Sequence, residues 1–438
     1  MVALNDVRDH LGKRIRFLRK AHTPFLLEEG IKSLPDEVLS HIFEAGHYIT
    51  DDCSFAKRVS QVSHRFRQVS LRLPLLWTRL LGEYSKDQIA LFVLRSGQMD
   101  LDISLYSYDS RVHDHLEILG PHSNRWSHLR VYSEEAENAM QYIGLTELPN
   151  LRVLYNHCPI ELTSWKLPRL TQIQGYGCNL PPEFIAQQLT TFEFSTSQPD
   201  ESFDIKPLAQ AIYSMKNLRN LSVTLKRCRE ASSDLNIEDL KTPSRHSVFI
   251  DTLHVTIKDC TTYAVVEPLY HALSHLSAST VNFTLEDLTD MDIPTRCTYL
   301  STGRGNISMF PHGSTINIRI LRLENPYPIR YRPSLLAVLV QDCDIANTIH
   351  IEARSNTTFI SHYEAIEWKY FSALRHLRFT HCDELSEMEL HALVTNLMIG
   401  AEPGKGLQSL EVIECRGISE ECLLDLADNV GSKLTWKL

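Results

Sequence analysis

One phrase returns along the chain and limits what the chain can fold into. It reads "LTQIQGYGC" at 170–178, "LRHLRFTHC" at 374–382 and "LQSLEVIEC" at 407–415. The last two fit L-x-x-L-x-L-x-x-C with apolar substitutions, and the first departs only at Gly175, in the third apolar place. Looser copies stand at "LRVLYNHC" (151–158), "LRNLSVTL" (218–225), "LHVTIKDC" (253–260) and "IRILRLEN" (318–325). Apolar residues two apart in a short run predict a strand buried on one face. Between the copies, "IKPLAQAIYSM", "YAVVEPLYHALSHL", "SLLAVLVQ", "ELHALVTNLM" and "ISEECLLDLAD" carry helical spacing instead. Strand, turn and helix in recurring order predict an α/β array whose units bury their apolar residues only against one another. The irregular spacing predicts long insertions, with the polar stretch 229–247 as a loop.

Successive strand residues point to opposite faces. Residues between the inward leucines are therefore the binding candidates of this region: Gln172, Gln174, Tyr176, Asn220, Ser222, Thr224, His376, Arg378, Ser409 and Glu411. Their mixed polar chemistry suits a protein or peptide ligand, and a plain solvated sheet face is the competing reading. Cys178, Cys382 and Cys415 recur at one place after a strand, where a small apolar residue with a weak S–H donor fits a turn. Metal ligation is the sharper alternative, but stacked repeats would hold these thiols apart, and no paired ligand spacing accompanies them.

Residues 30–82 obey a different period. In "SLPDEVLSHIF", Ser33 with Asp36 has the form of a capping box, Pro35 suits a first helical turn, and Asp36 and Glu37 favour the positive end of a helix dipole. Val38, Leu39, Ile42 and Phe43 form one stripe at the 3.6 period. After the spacer "GHYITDD", Phe55, Val59, Val62, Phe66 and Val69 step by four and three, which predicts one further amphipathic helix. Pro74 ends it, and "LPLLWTRL" adds a short apolar element with Leu75, Leu76 and Trp77. So small a helical module covers only about 60% of the area its unfolded chain exposes, so a partner or a neighbouring domain is expected.

The run "LPDEVLSHIF … VSQVSHRFRQVSLRLPLLWTRL" resembles an F-box, the motif by which substrate-recruiting subunits dock on the Skp-type adaptor of cullin-RING ubiquitin ligases. The resemblance implies docking through Leu34, Pro35, Val38, Leu39, Ile42, Phe43, Val59, Val62, Phe66, Pro74, Leu76 and Trp77. Ser63 and Phe66 depart from it, standing where the family often has Cys and Trp. Periodicity alone does not separate a docking stripe from one that packs only inside the protein. The strand phrases resemble leucine-rich repeats, and "DELSEMELHALVTNL" and "RGISEECLLDLADNV" are similar to the cysteine-containing subtype often found behind F-boxes. The resulting expectation is an α/β protein with a helical leader (1–29), a three-helix F-box (30–82) and an irregular leucine-rich-repeat-like horseshoe (83–438). Its implied role is a noncatalytic adaptor of an SCF-type ligase that recruits an unknown protein substrate. The alternative is an interaction scaffold that acts without ubiquitin transfer.

Charge and composition narrow the partners. The 438 residues carry a net charge of −10, yet residues 1–80 hold 13 Lys/Arg against 9 Asp/Glu, leaving 31 against 45 for the remainder. A long acidic region disfavours a nucleic-acid partner and is compatible with a basic protein. The cluster Lys13, Arg14, Arg16, Arg19 and Lys20, interleaved with Leu11, Ile15 and Leu18, reads as a solvated helix face rather than an import signal or anionic-surface patch. No apolar run reaches the ~18 residues of a membrane span, and the N-terminal stretch lacks a signal-peptide core, so a cytoplasmic or nuclear location without membrane contact is expected. Ten cysteines without a CxxC pair then read as reduced thiols. "HALSH" sets His271 and His275 four apart without a third ligand, predicting helix-surface histidines, and "GRGNIS" at 303–308 lacks the rest of a phosphate loop. No G-x-S-x-G or H-E-x-x-H occurs. Neither a catalytic residue, a metal nor a cofactor is predicted.

Overall fold

The computed structural model describes residues 13, 14, 17, 31, 33–50, 52–106, 111–158, 160–176, 180–197, 202–230, 243–259, 261–288, 312–323, 335–354, 359, 368–400 and 406–438. They fall into two compact units, Met1–Ser127 and His128–Leu438. The expected helical leader lies, but for three residues, outside the described residues.

The first unit opens with α1 (Asp36–Ile49). Pro35, not Ser33, is its N-cap, and no side chain caps it. The expected capping box is therefore replaced: Asp36 instead receives Arg65 Nε at 2.8 Å, and the same guanidinium donates to the carbonyls of Ile31 and Leu34. The helix also runs through "GHYI", which sequence spacing assigned to a linker. Gly46 lets the Phe55 ring pack against this part of the helix, because a Cβ there would collide with the ring. The single helix expected after the spacer is two, α2 (Ser54–Val62) and α3 (His64–Leu71). Ser63 breaks them: its backbone is extended, and its hydroxyl accepts from Phe66 N–H at 3.2 Å, so it caps the second helix. A 3-10 turn at Pro74–Trp77 leads to β1 (Arg79–Leu81), α4 (Lys86–Arg95), β2 (Leu101–Leu105) and α5 (Arg111–Leu119). β1 and β2 pair in parallel, with Leu80 opposite Ile103. Fully buried Trp77 donates Nε1–H to Ser70 O at 3.0 Å and packs on Phe92, which also meets Tyr84 edge-on.

The second unit is mixed α/β. In chain order it holds β3 (Trp126–Val131, entering the unit at His128), α6 (Glu134–Tyr142), β4 (Val153–Asn156), β5 (Gln172–Tyr176), α7 (Glu183–Ala186), β6 (Thr191–Ser197), β7 (Ser202–Phe203), α8 (Lys206–Ser214), β8 (Asn220–Lys226) and β9 (Arg229–Glu230). It continues with β10 (Val248–Lys258), α9 (Tyr263–Leu273), β11 (Leu276–Leu288), β12 (His312–Leu323), α10 (Leu335–Asp342), β13 (Thr348–Ala353), β14 (His376–Thr380), α11 (Glu387–Val394), β15 (Ser409–Ile413), α12 (Glu420–Val430) and β16 (Leu434–Lys437). Apart from β7 and β9, which pair with each other, the strands follow one another in chain order as one parallel sheet. Parallel neighbours need a crossover between them, and the helices supply many of these. Every strand phrase singled out in the sequence carries a strand. Residues 229–230 of the expected loop form β9, and 231–242 lie outside the described residues.

Register aligns one buried residue per strand. Leu221, Leu253, Val281, Ile316, Ile349, Leu377 and Leu410 stand side by side from β8 to β15, each at most 1% exposed. A second buried row, one pleat further on, runs Val223, Val255, Phe283, Ile318, Ile351, Phe379 and Val412. Among the described residues no helix is long and apolar enough to cross a membrane.

Candidate functional site

The stripe on α1 is wider than the core it faces, and the structure divides it. Leu39 and Phe43 are each 2% exposed, whereas Val38 is 40% and Ile42 49% exposed. Phe43 meets Phe66 edge-on at 5.1 Å, which places half-buried Phe66 against the inner face. Val59, Leu76 and Trp77 are likewise interior, while Val62, at the end of α2, is 64% exposed. Leu34 is half-buried, and Pro35 and Pro74 are exposed. The twelve residues thus separate into one set that holds the helices together and another, Pro35, Val38, Ile42, Val62 and Pro74, whose surface is open. Polar groups share the interior: Ser70 and Thr78, and the titratable Cys53 and His47. Burial pushes the Cys53 thiol up to about 12 and leaves it a donor to Arg79 O at 2.7 Å. Burial, and then the charge of Arg79, lower His47 to about 4, so it is neutral.

Residues 31–82 match a family model described as F-box-like. This segment is an F-box-like domain. It covers α1 to α3, the 3-10 turn and β1, so the division of the stripe is a property of that domain. Comparison of the chain with curated proteins gives no match.

In the second unit, Gln172, Gln174, Asn220, Ser222, Thr224, Arg378, Ser409 and Glu411 are half-buried and His376 is exposed, in strands whose alternate residues form the buried rows. The side chain of Tyr176 lies outside the described residues. Register brings candidates together in pairs: His376 stands beside Ser409, and Arg378 beside Glu411, with Arg378 Nε donating to Glu411 Oε2 at 2.7 Å. Gln174 and Ser222 each lie beside Glu193 of β6.

The same row contains residues that the strand phrase did not single out. From β10 to β13 it reads His254, Asn282, Asn317 and His350, between Ser222 and Arg378. His350 Nδ1 lies 2.9 Å from Asn317 Oδ1, Asn317 Nδ2 donates to Asn282 Oδ1 at 2.8 Å, and Asn282 Nδ2 lies 3.3 Å from His254 Nε2. An amide oxygen only accepts and an amide nitrogen only donates, so His350 carries its proton on Nδ1 and His254 accepts on Nε2. All donors point one way along the row. Burial, then the nearby Arg378 charge, lower the pKa of His350 and keep the ring neutral. A signal for this block exists in the sequence: "TLHV", "TVNF", "TINI" and "TIHI" repeat Thr, apolar, Asn or His, apolar at the same register.

The cysteine positions have a geometric basis. Arg227, His381 and Glu414, each the first residue after a strand, are left-handed, with φ of 57°, 52° and 53°, and each is followed by a buried cysteine: Cys228, Cys382 or Cys415. Their sulfurs bond to backbone; Cys382 lies 3.4 Å from Ile351 O, and Cys415 accepts from Cys382 N–H at 3.4 Å. Cys178 lies outside the described residues. Among the described residues no group of three or more His, Cys, Asp or Glu is placed to hold a metal. "HALSH" departs from expectation: α9 ends at Leu273, and His275 is 3% exposed, against the Tyr213 ring at 5.0 Å, with Nδ1 2.9 Å from Ala272 O. "GRGNIS" lies outside the described residues.

Proposed function

We propose that this chain is a noncatalytic substrate-recognition adaptor of an SCF-type ubiquitin ligase. The observation that carries the reading is the F-box-like domain at 31–82, with Val38, Ile42 and Val62 left open on helices whose inner faces are already filled. Fully burying such a side chain is worth roughly 1.5–3 kcal/mol, so covering the part still open on each contributes about 1 kcal/mol to a complex with a Skp-type adaptor before the entropy cost of association. The second unit we read as a leucine-rich-repeat-like horseshoe whose polar sheet face holds a protein target. Tethering then raises the target's concentration near the transfer site of a cullin-RING complex, in the cytoplasm or nucleus, with no chemistry by this chain.

Co-expression with a Skp-type adaptor tests this. Wild type is expected to co-purify stoichiometrically, and the double variant Val38→Asp/Ile42→Asp to lose the adaptor while keeping its circular dichroism spectrum. A folded wild type that takes no adaptor would end the ligase reading. A complex that forms, yet never marks any bound protein with ubiquitin in a reconstituted reaction, would favour the scaffold.

A further inference from the structure

A cleft of about 770 Å³ opens at the carboxyl ends of β13, β14 and β15. Its size is within the range of ligand sites, about 300–1,000 Å³. Three wall residues, Arg354, His381 and Glu414, directly follow those strands, and the left-handed backbone of the last two turns the chain at the rim. Cys415 and Ile418, 1% and 4% exposed, make an apolar floor, and the more exposed Leu438 lines the cleft with them.

The walls carry charge of both signs, and each acid has a polar partner. Glu414 faces His381 Nδ1 at 3.4 Å with one oxygen and Lys437 Nζ at 3.2 Å with the other. Asp383 accepts the backbone N–H of Arg416 at 3.1 Å. Glu352, just below the rim, is shared between Arg319 and Arg354. The cations are not used up to the same degree. Arg354 is 59% exposed and spends one amino group on half of a shared carboxylate. The exposed guanidinium of Arg416 has no hydrogen bond or ion pair among the described residues, although its backbone is fixed. Gly417 lies so close to the 383–385 turn that a Cβ would stand 2.5 Å from Leu385 O. Arg416 is therefore the least engaged charged side chain of the cleft, with Arg354 the next cation, beside an apolar floor.

We propose that this cleft binds an acidic peptide segment of the target, with an apolar side chain on Cys415 and Ile418 and the adjacent carboxylate on Arg416, Arg354 serving as the second cation. The proposal rests on the reading of the second unit as the target-binding part. Planar guanidinium matches a carboxylate in two parallel hydrogen bonds, which a neutral amide does not reproduce.

The test uses the full chain and labelled eight-residue peptides of Ala, Ser and Gly with Leu-Glu, Leu-Gln, Ser-Glu or Leu-phosphoserine at the centre, followed by fluorescence anisotropy. Leu-Glu is expected to bind tightest, with Arg416→Gln weakening it about 10-fold or more and Arg354→Gln by less. Both arginines are exposed, so circular dichroism should be unchanged. Equal binding of Leu-Glu and Leu-Gln, no binding by any peptide, or indifference to Arg416→Gln would overturn the proposal, and a clear preference for phosphoserine would overturn its commitment to a carboxylate. Adaptor capture, measured on the same preparations, is expected to be unaffected by either substitution, so failure of the cleft and failure of the adaptor reading are told apart.

Discussion

The F-box-like helices and the parallel sheet are built from the same apolar residue types but divide inside from outside with different sharpness. At two residues per turn a strand alternates strictly between two faces: Leu377 and Phe379 are interior, and half-buried Arg378 between them lies on the other face. At 3.6 residues per turn the side chains of α1 fan around the axis, so a stripe broad enough to fill the interior also has edges, and Val38 and Ile42 are on the edge. In the row that runs from Ser222 to Glu411 the sheet therefore presents polar side chains, whereas α1 leaves Val38 and Ile42 among its open ones. Under the proposed function, the difference assigns the apolar contact to the helices and the polar one to the sheet.

The largest expected effect breaks the helical side of this contrast. Phe43→Ala removes a ring packed edge-on against Phe66 in a filled interior and is expected to destabilise the first unit by about 3–5 kcal/mol. Ile42→Ala, one residue away and half open, is expected to cost roughly 1 kcal/mol or less in the isolated chain while weakening adaptor capture. Denaturant melts of both variants, read beside co-purification, check the division; similar losses of stability would mean that the stripe is one interior surface after all.

Histidines sharpen the contrast. His350 on the sheet has a hydrogen-bond partner, whereas His47 on α1 is 2% exposed and its Nδ1 has none among the described residues. With its folded pKa lowered to about 4 from 6.5, His47 stays neutral in the native unit while the unfolded chain takes up a proton. Stability is thus fully present above pH 6.5 and is lost as pH falls from 6.5 through 4, by up to roughly 3 kcal/mol. His47→Gln is expected to flatten that part of the pH dependence. If melts at pH 7.5, 5.5 and 4.5 change equally in wild type and variant, the burial account of His47 is wrong.

Sequence reading was most reliable where one period ran uninterrupted. The strand phrases at 151, 170, 218, 253, 318, 374 and 407 all carry strands, because alternate leucines leave few other ways to bury one face. It failed at local choices between competing partners. Nothing in the four-and-three spacing reveals that Ser63 caps a second helix, since Phe66 keeps its apolar step on either side of the break. The spacing does not reveal that α1 runs on through Gly46, where the ring of Phe55, nine residues later, packs in the place a Cβ would take. The Asn and His row was legible but unread: a search for leucine passes over "TVNF" and "TIHI", where valine and isoleucine fill the buried places. The cleft at the strand ends was not legible at all. Its arginines lie far apart in the chain, and only register sets Arg354 and Arg416 around one opening.

The smallest effect belongs to the sheet face. Arg378 and Glu411 are a partly exposed pair, so Arg378→Gln is expected to cost no more than about 1 kcal/mol in stability. Its electrostatic consequence is easier to see. The Arg378 charge is the second cause, after burial, that holds His350 down, and Glu411 acts in the opposite direction. Removing the guanidinium and leaving the carboxylate should raise the His350 pKa part of the way back to its ordinary value, without reaching it, because burial remains. An NMR titration of the imidazole in wild type and variant measures this. A rise would show that the row from Ser222 to Glu411 is electrically one surface, on which a ligand at Arg378 is felt at His350. An unmoved pKa would mean that each strand presents its side chains independently, and recognition on this face would have to be assigned residue by residue.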